Sequence, residues 1–397
     1  MTHQATASPR RPSLPKAAPD GLIASVLLAF IATAGLFYVN IMAALVSGLQ
    51  DGLGFSARSA GLVASMNVYG AALGALAAVF TVARIRWKPA VVGLLCALVC
   101  IDLVSTRVAA PGALMALRFG HGLVGGMLVG VGFAVIARTR TPDRTFGMLL
   151  VVQFGLGGLG LLLLPGLVPR FGTPVLFLAL AAFSICAGLM LPFLSDYPPR
   201  QAPPVAEDER PAGLARWTPL GAALMAVFAF QAANMALAAY VIGLGRHYGL
   251  TLRFISDTLA AANWIGALGS VLVVAVGLRW GRLRPIALGV AATILGTLAF
   301  LRSDLAWVFV AANIVTAVVW AFVIPYLLGL CAAFDVGGRS ATLAGFFSKL
   351  GLASGPALGG VLLNETHFPR LVAVAVIGLC ASAALAWPPA GGLDRSS

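Results

Sequence analysis

The chain is a succession of long apolar runs broken by short polar stretches; residues 21–50, for example, contain no charged side chain. A helix that crosses about 30 Å of hydrocarbon must satisfy its own backbone, and needs roughly twenty apolar residues to do so. Cutting the sequence at charges and Pro/Gly clusters yields twelve such runs. They fall near 21–47, 58–81, 88–105, 110–137, 145–168 and 173–194, then near 216–243, 254–277, 284–301, 305–331, 340–363 and 369–388. The pattern predicts an all-α polytopic membrane protein with twelve transmembrane helices.

The longest polar stretch, 195–215 (SDYPPRQAPPVAEDERPAGLA), is rich in Pro and charge and divides the runs six and six. Its composition predicts a flexible cytoplasmic linker. The flanking halves match at a constant shift of 195 residues: V-S-G-L-Q-D-G-L-G-F-S-A-R at 46–58 lies over V-I-G-L-G-R-H-Y-G-L-T-L-R at 241–253. The same shift takes Ala72, Leu73 and Gly74 to Ala267, Leu268 and Gly269, Arg144 to Arg339, and Gly160 to Gly355. Six crossings separate the copies, so both run in the same direction as two parallel-repeat six-helix bundles. The expected domains are a disordered cytoplasmic tail 1–19, a first bundle 20–194, the linker 195–215, a second bundle 216–389 and a cytoplasmic tail 390–397.

Composition excludes a water-soluble protein. Hydrophobic residues make up 60% and charged residues 10% of the chain, against about a quarter charged in soluble domains. The net charge of +13 raises nucleic acid as a partner, but the basic residues sit in short loops between apolar runs, so none is expected. Of the 26 Lys and Arg, seventeen lie on the side of the N-terminus, seven lie opposite, and Arg118 and Lys349 fall within the membrane. The positive-inside rule then puts both termini in the cytoplasm of a multi-pass inner-membrane protein. Arg10, Arg11 and Lys16 precede the first run as in a signal peptide, but that run is too long for one and reads as a retained helix. Five cysteines lie inside apolar runs without paired spacing, which indicates neither disulfide framework, metal site nor cofactor.

Several segments carry a resemblance to the major facilitator superfamily of transporters. L-R-W-G-R at 278–282, with Arg279, Gly281 and Arg282, resembles the end of the G-x-x-x-D-R-x-G-R loop signature of that family; the first-half copy, 78–88, is eroded and keeps Arg86. Val82 and Leu278 stand where the signature has its acid. In the family that acid latches the cytoplasmic side, so the resemblance does not extend to the latch. L-R-F-G-H-G at 117–122 is similar to the R-x-x-x-G element of helix 4, matched by Arg118 and Gly122. The antiporter string G-x-x-x-G-P-x-x-G-G occurs as G-L-A-S-G-P-A-L-G-G at 351–360, in helix 11, whereas the family has it in helix 5. Physically, Gly351, Gly355 and Gly359 make a flat face for a neighbouring helix, and Pro356 beside Gly360 permits a kink. Tight packing and gating are both open readings.

An ionisable side chain in the membrane is costly and is a functional candidate by default. Arg118 and His121 share a face of helix 4 and offer a fixed charge and a titratable imidazole. Asp102, across the hairpin, either pairs structurally with Arg118, the favoured reading, or takes part in proton coupling. Lys349 either snorkels to the surface or supplies a second positive charge opposite Arg118. Amides and aromatics at mid-helix positions, namely Asn40, Asn67, Tyr69, Gln153, Gln231, Asn234, Asn263, Trp264, Trp320 and Tyr326, suit a cavity that recognises a small organic molecule. Asn313 joins them as a further mid-helix amide.

These features predict a secondary transporter, not an enzyme: no metal-ligand or paired acidic motif appears, and no phosphate-binding loop for an ATP-driven pump. Expected partners are a small-molecule substrate, protons and the lipid bilayer, with the protein monomeric. Proton-coupled export of an organic or amphipathic compound by alternating access is the leading expectation. Proton-symport uptake of a small organic anion is the alternative, and a transporter-fold sensor or channel the alternative from another class.

Overall fold

A computed structural model of the chain describes residues 15–82, 84–198, 217–334, 339–363 and 368–396. The described elements are helices, and they order as twelve crossings. Crossing 1 is Leu22–Ala34, Phe37–Asn40 and Met42–Leu53; crossings 2 to 6 are Ala57–Thr81, Trp87–Ser105, Pro111–Ala137, Pro142–Phe171 and Pro174–Met190. Crossing 7 is Trp217–Ala238 and Val241–His247, and crossing 8 is Leu252–Gly266 and Leu268–Val276. Crossings 9 to 12 are Leu283–Ala299, Ala306–Ala332, Arg339–Leu362 and Phe368–Ser396. Ten of these are long and apolar enough to span a bilayer. The remaining two are crossing 1, which is broken, and crossing 11, whose hydropathy is lowered by glycine, serine and Lys349.

The 195-residue repeat is visible as repeated turns. Gly54 and Gly249 both adopt left-handed φ, +65° and +79°, which glycine reaches without a Cβ clash. Two residues on, the Ser56 hydroxyl accepts from Ser59 N at 3.2 Å and the Thr251 hydroxyl from Phe254 N at 3.3 Å, so each starts the next crossing with a side-chain cap.

Small residues set the tightest helix pairs. A Cβ on Gly70 or Gly74 of crossing 2, or on Gly122 or Gly126 of crossing 4, would run into the other helix's backbone, so these helices touch main chain to main chain. In the second half Gly351, Gly355 and Gly359 pack in the same way on crossing 7 at Phe228, Ala232 and Ala236. Gly360 instead faces Ala57 and Arg58 of crossing 2, and the Tyr240 hydroxyl is shared between Ala57 O at 2.9 Å and Pro356 O at 2.8 Å.

The apolar core is single at one end of the molecule and double at the other. On the side away from the 195–215 segment, hereafter the far side, Leu45, Leu49 and Val63 belong to one cluster with Leu244, Ile255 and Leu371. On the linker side Leu28, Val135 and Leu191 form a core within the first half, and Leu220, Ile286 and Leu330 a separate core within the second. Polar contacts follow suit. Arg246 Nη1 donates to both oxygens of Asp51, at 2.8 and 2.7 Å, Tyr69 bonds Ser354 at 2.9 Å, and Trp264 Nε1 donates to Gly155 O at 3.1 Å. Among the described residues no hydrogen bond or ion pair joins the halves nearer the linker side than these. The halves therefore diverge toward the linker side. Asp51 and Arg246 are themselves 195 residues apart, so this pair joins equivalent positions and lies on the pseudo-two-fold axis.

Several boundaries differ from expectation. Crossing 1 runs past 47 to Leu53 because Asp51, which reads as loop, is held by Arg246 and by Ser47. It breaks near Gly35, whose backbone lies against Gly125 O. Crossing 7 runs past 243 to His247 and breaks at Ala239 and Tyr240. Crossing 12 does not end at 388: it continues through Pro388 and Pro389 to Ser396, with Ala390 buried and Asp394 bonded to the start of crossing 9. The end of the expected N-terminal tail is tied down, as Ala17 N donates to Phe193 O at 2.8 Å and the Tyr197 hydroxyl to Pro19 O at 2.8 Å. Residues 1–14 of that tail, and the expected linker beyond residue 198, lie outside the described residues.

Candidate functional site

Where the halves part at mid-membrane they enclose a cavity of about 260 Å³. Crossing 1 contributes Asn40 and Met42, crossing 5 Gln153 and Phe154, crossing 7 Asn234 and Met235, and crossing 8 Asn263. Thr297 and Phe300 come from the end of crossing 9, and Asn313, Thr316 and Trp320 from crossing 10. No charged side chain lines it among the described residues. Its polar groups are oriented by the fold. Asn313 Nδ2 donates to Phe309 O at 2.8 Å and Asn234 Nδ2 to Phe230 O at 2.8 Å, which leaves each side-chain carbonyl available as an acceptor. Trp320 Nε1 donates to Gln231 Oε1 at 2.8 Å, and Gln231 Nε2 to the Ser348 hydroxyl at 2.8 Å, so Gln231 fixes the indole from behind.

A charged network is buried beside the cavity, within the first half. Arg118 Nη1 donates to Asp102 Oδ1 at 2.7 Å, with both side chains 0% exposed. Arg118 Nη2 bonds the Ser105 hydroxyl, and the guanidinium carbon stands 4.9 Å from the Phe177 ring centroid. His121 Nε2 is 3.3 Å from Asp102 Oδ2. Asn67 Nδ2 donates to His121 Nδ1 at 2.8 Å, which assigns the ring proton to Nε2, facing the carboxylate. The ring of Tyr38 lies 6.0 Å from that of His121. Asp102 Oδ2, Arg118 Nε and the Tyr38 hydroxyl are buried without a hydrogen-bond partner. Tyr38 sits in the short Phe37–Asn40 helix, so one residue of that helix faces the network while Val39 and Asn40 face the cavity.

Of the side chains expected to line a cavity, Asn40, Gln153, Asn234, Asn263 and Trp320 do so. Asn67 joins the network instead, Tyr69 bonds Ser354, and Gln231 is buried behind Trp320. Trp264 covers Gly155 and Gly158 of crossing 5, and the Tyr326 hydroxyl donates to Gly277 O at 2.8 Å. Arg118 and Lys349 do not face each other as two cavity cations: Arg118 is paired inside its own half, and Lys349, partly exposed on crossing 11, lines no part of the cavity. Thr297 and Thr316 were not anticipated. The repeat carries the signal for them, because the 195-residue shift takes Asp102, Arg118 and His121 to Thr297, Asn313 and Thr316.

The sequence profile of the Major Facilitator Superfamily matches residues 25–347. The chain belongs to that family. Solved structures of similar fold include a mutant of the nucleoside transporter NupG, with TM-score 0.69 and 15% identity over 93% of this chain and 99% of that one. Another is a bacterial homolog of the human lysosomal transporter Spinster, inward-facing and unoccupied, with TM-score 0.66 and 15% identity over 93% and 95% of the two chains. No curated protein matches the chain by sequence.

In this superfamily member, each loop signature lacks its acid, and an acid from the end of a distant crossing lies beside it. In the first half Lys88 Nζ, just after Arg86, pairs with Asp196 at 2.9 Å, beyond the end of crossing 6. A hydrogen bond from Lys88, and then its charge, hold the Asp196 carboxyl below the ordinary carboxylate range. In the second half Asp394, from the end of crossing 12, accepts from Arg282 N at 2.9 Å and Leu283 N at 2.9 Å. That carboxylate occupies the N-terminus of crossing 9, where the helix dipole favours it. Gly281, with φ +68°, has no room for a Cβ beside it.

Proposed function

We propose that this superfamily member is a proton-coupled secondary transporter that carries a small, uncharged, hydrogen-bonding organic solute through the central cavity by alternating access. The observation that carries the reading is the cavity itself: amides and hydroxyls from both halves, aromatic rings and methionines, and no charged side chain among the described residues. Buried polar groups of this kind select solutes by hydrogen bonding. A fixed anion would meet no counter-charge there, which favours a neutral compound over an organic anion.

Protons bind, in this reading, in the Asp102–Arg118–His121 network and not in the solute cavity. Adding a proton to His121 Nδ1 requires the Asn67 amide to turn and present its oxygen. Asn67 shares crossing 2 with Tyr69, which reaches Ser354 in the other half. On the cavity side, Tyr38 links the network to Asn40 through one short helix.

The test is a solute screen in proteoliposomes with an imposed pH gradient, run in both orientations. Neutral polar solutes are expected to move with protons, and Asn313→Ala and Trp320→Ala to remove that movement. Transport of anions alone, or solute movement indifferent to the pH gradient, would sink the proposal.

A further inference from the structure

The linker-side ends of crossings 8, 9 and 12 surround a surface pocket of about 590 Å³. Arg279, Arg284 and Arg395 line it, together with Trp280, Trp387 and Asp394. Its acid is engaged: Asp394 accepts from the backbone N–H groups of Arg282 and Leu283, at 2.9 to 3.0 Å. Arg279 and Arg284 are exposed and form no ion pair among the described residues, and Arg395 Nε donates only to its own helix, to Gly391 O at 3.0 Å. The pocket therefore presents three guanidinium groups against one carboxylate that is already turned inward. Trp280 and Trp387 are 55% and 58% exposed at its edge, the setting in which indoles anchor at a membrane surface.

A second concavity continues from this one. A groove of about 200 Å³ between crossings 9 and 12 is lined by Leu283, Ile286, Val290 and Ile294 on one wall and by Ala383 and Trp387 on the other. Leu283 and Trp387 belong to both, so a basic mouth at the surface opens into an apolar channel directed along the helices. From Leu283 to Ile294 the helix rises about 16 Å at about 1.5 Å per residue. That is the depth of one leaflet of a bilayer whose hydrocarbon is about 30 Å thick.

A charged head joined to an apolar tail of one leaflet's length fits this pair of sites. We infer that the protein binds one anionic phospholipid there, with its phosphate among Arg279, Arg284 and Arg395 and one acyl chain in the groove. Such basic pockets between transmembrane helices recognise lipid headgroups by charge-assisted hydrogen bonds.

Native mass spectrometry of the full-length chain, with phosphatidylglycerol or phosphatidylcholine added, tests this. The wild type is expected to retain phosphatidylglycerol in preference, one molecule per chain. Arg279→Gln or Arg284→Gln should each lower retention about fivefold, and the triple variant with Arg395→Gln on the order of a hundredfold, leaving phosphatidylcholine unchanged. The single variants alter exposed side chains and keep the test valid if the triple variant fails to fold. Ala291→Phe, which fills the groove without touching an arginine, should also lower phosphatidylglycerol retention. Equal retention of the two lipids by the wild type, unchanged retention in the arginine variants, or displacement of phosphatidylglycerol by inorganic phosphate alone would overturn the inference.

Discussion

Asp102 on crossing 3, with Arg118 and His121 on crossing 4, corresponds to Thr297 on crossing 9, with Asn313 and Thr316 on crossing 10. The first trio is charged, sealed and turned toward its own bundle. The second is neutral and turned toward the cavity. Under the proposed function, one repeated set of positions serves two chemistries, and the difference separates ion binding from solute binding in space. On that reading solute and proton do not compete for the same groups, and Tyr38 packs beside the network in the short helix whose Val39 and Asn40 line the cavity.

The comparison breaks most sharply at Arg118. Arg118→Ala leaves the Asp102 carboxylate buried without its partner, a change that costs about 3 to 5 kcal/mol in buried ion pairs. Asn313→Ala, at the equivalent position, removes a side chain whose donor is satisfied by its own helix and should cost less than about 1 kcal/mol. Thermal unfolding in detergent should therefore separate the two variants widely, although only Asn313→Ala acts on the solute cavity itself. Transplanting the second trio into the first half (Asp102→Thr, Arg118→Asn, His121→Thr) removes every charge together and should recover most of the stability while uncoupling transport from protons. Equal losses in Arg118→Ala and Asn313→Ala would erase the distinction between the halves.

Next in size is His121→Gln. The amide can still accept from Asn67, so the expected loss of stability is about 1 kcal/mol, the worth of a typical hydrogen bond. The informative readout is the pH profile of solute uptake, which should flatten while affinity for the solute is kept. A variant with the wild-type pH profile would remove His121 from the coupling path.

Much of this architecture is legible in the sequence, because the length of an apolar run and the register of a repeat are local properties. The two bundles, the glycine face at Gly351, Gly355 and Gly359, and the repeated register that pairs Gly54 with Gly249 are of this kind. What a helix faces is not local. Asn67 and Asn263 occupy comparable parts of crossings 2 and 8, yet one is bonded to His121 and the other lines the cavity. Trp264, which reads as a cavity aromatic, instead donates to Gly155 O and packs where Gly158 leaves room on crossing 5. The acids Asp196 and Asp394 lie more than a hundred residues from the loops beside them, a separation that no loop motif can encode.

The far-side pair offers a gentler probe. Asp51 and Arg246 hold the two halves together at equivalent positions, each about one third exposed. Asp51→Asn weakens a bidentate pair of modest worth, about 1 kcal/mol, which corresponds to a shift of about fivefold in the balance between conformations. Labelling of a cysteine introduced on the far side, for example at Ser59, should become faster by that factor. Unchanged labelling would show that the apolar cluster around Leu49 and Leu244 closes this end without the ion pair.

The smallest effect separates the two loop-side acids. Asp196 pairs with a lysine side chain at a position 73% exposed, so solvent and salt screen it, and Asp196→Asn should cost under about 1 kcal/mol. The sign of its pH dependence follows from the lowered carboxyl. A group whose folded pKa is depressed stabilises the fold above its unfolded value, near 4, and the contribution disappears as pH falls through the lower folded value. Melting temperatures of the wild type and Asp196→Asn should therefore differ slightly at neutral pH in low salt and converge both in acid and in high salt. Asp394 bonds backbone N–H groups that carry no titratable charge, so the gap between wild type and Asp394→Asn should survive high salt. If salt erased both gaps equally, an ion pair, and not the Asp394 hydrogen bonds to crossing 9, would be what holds the second loop.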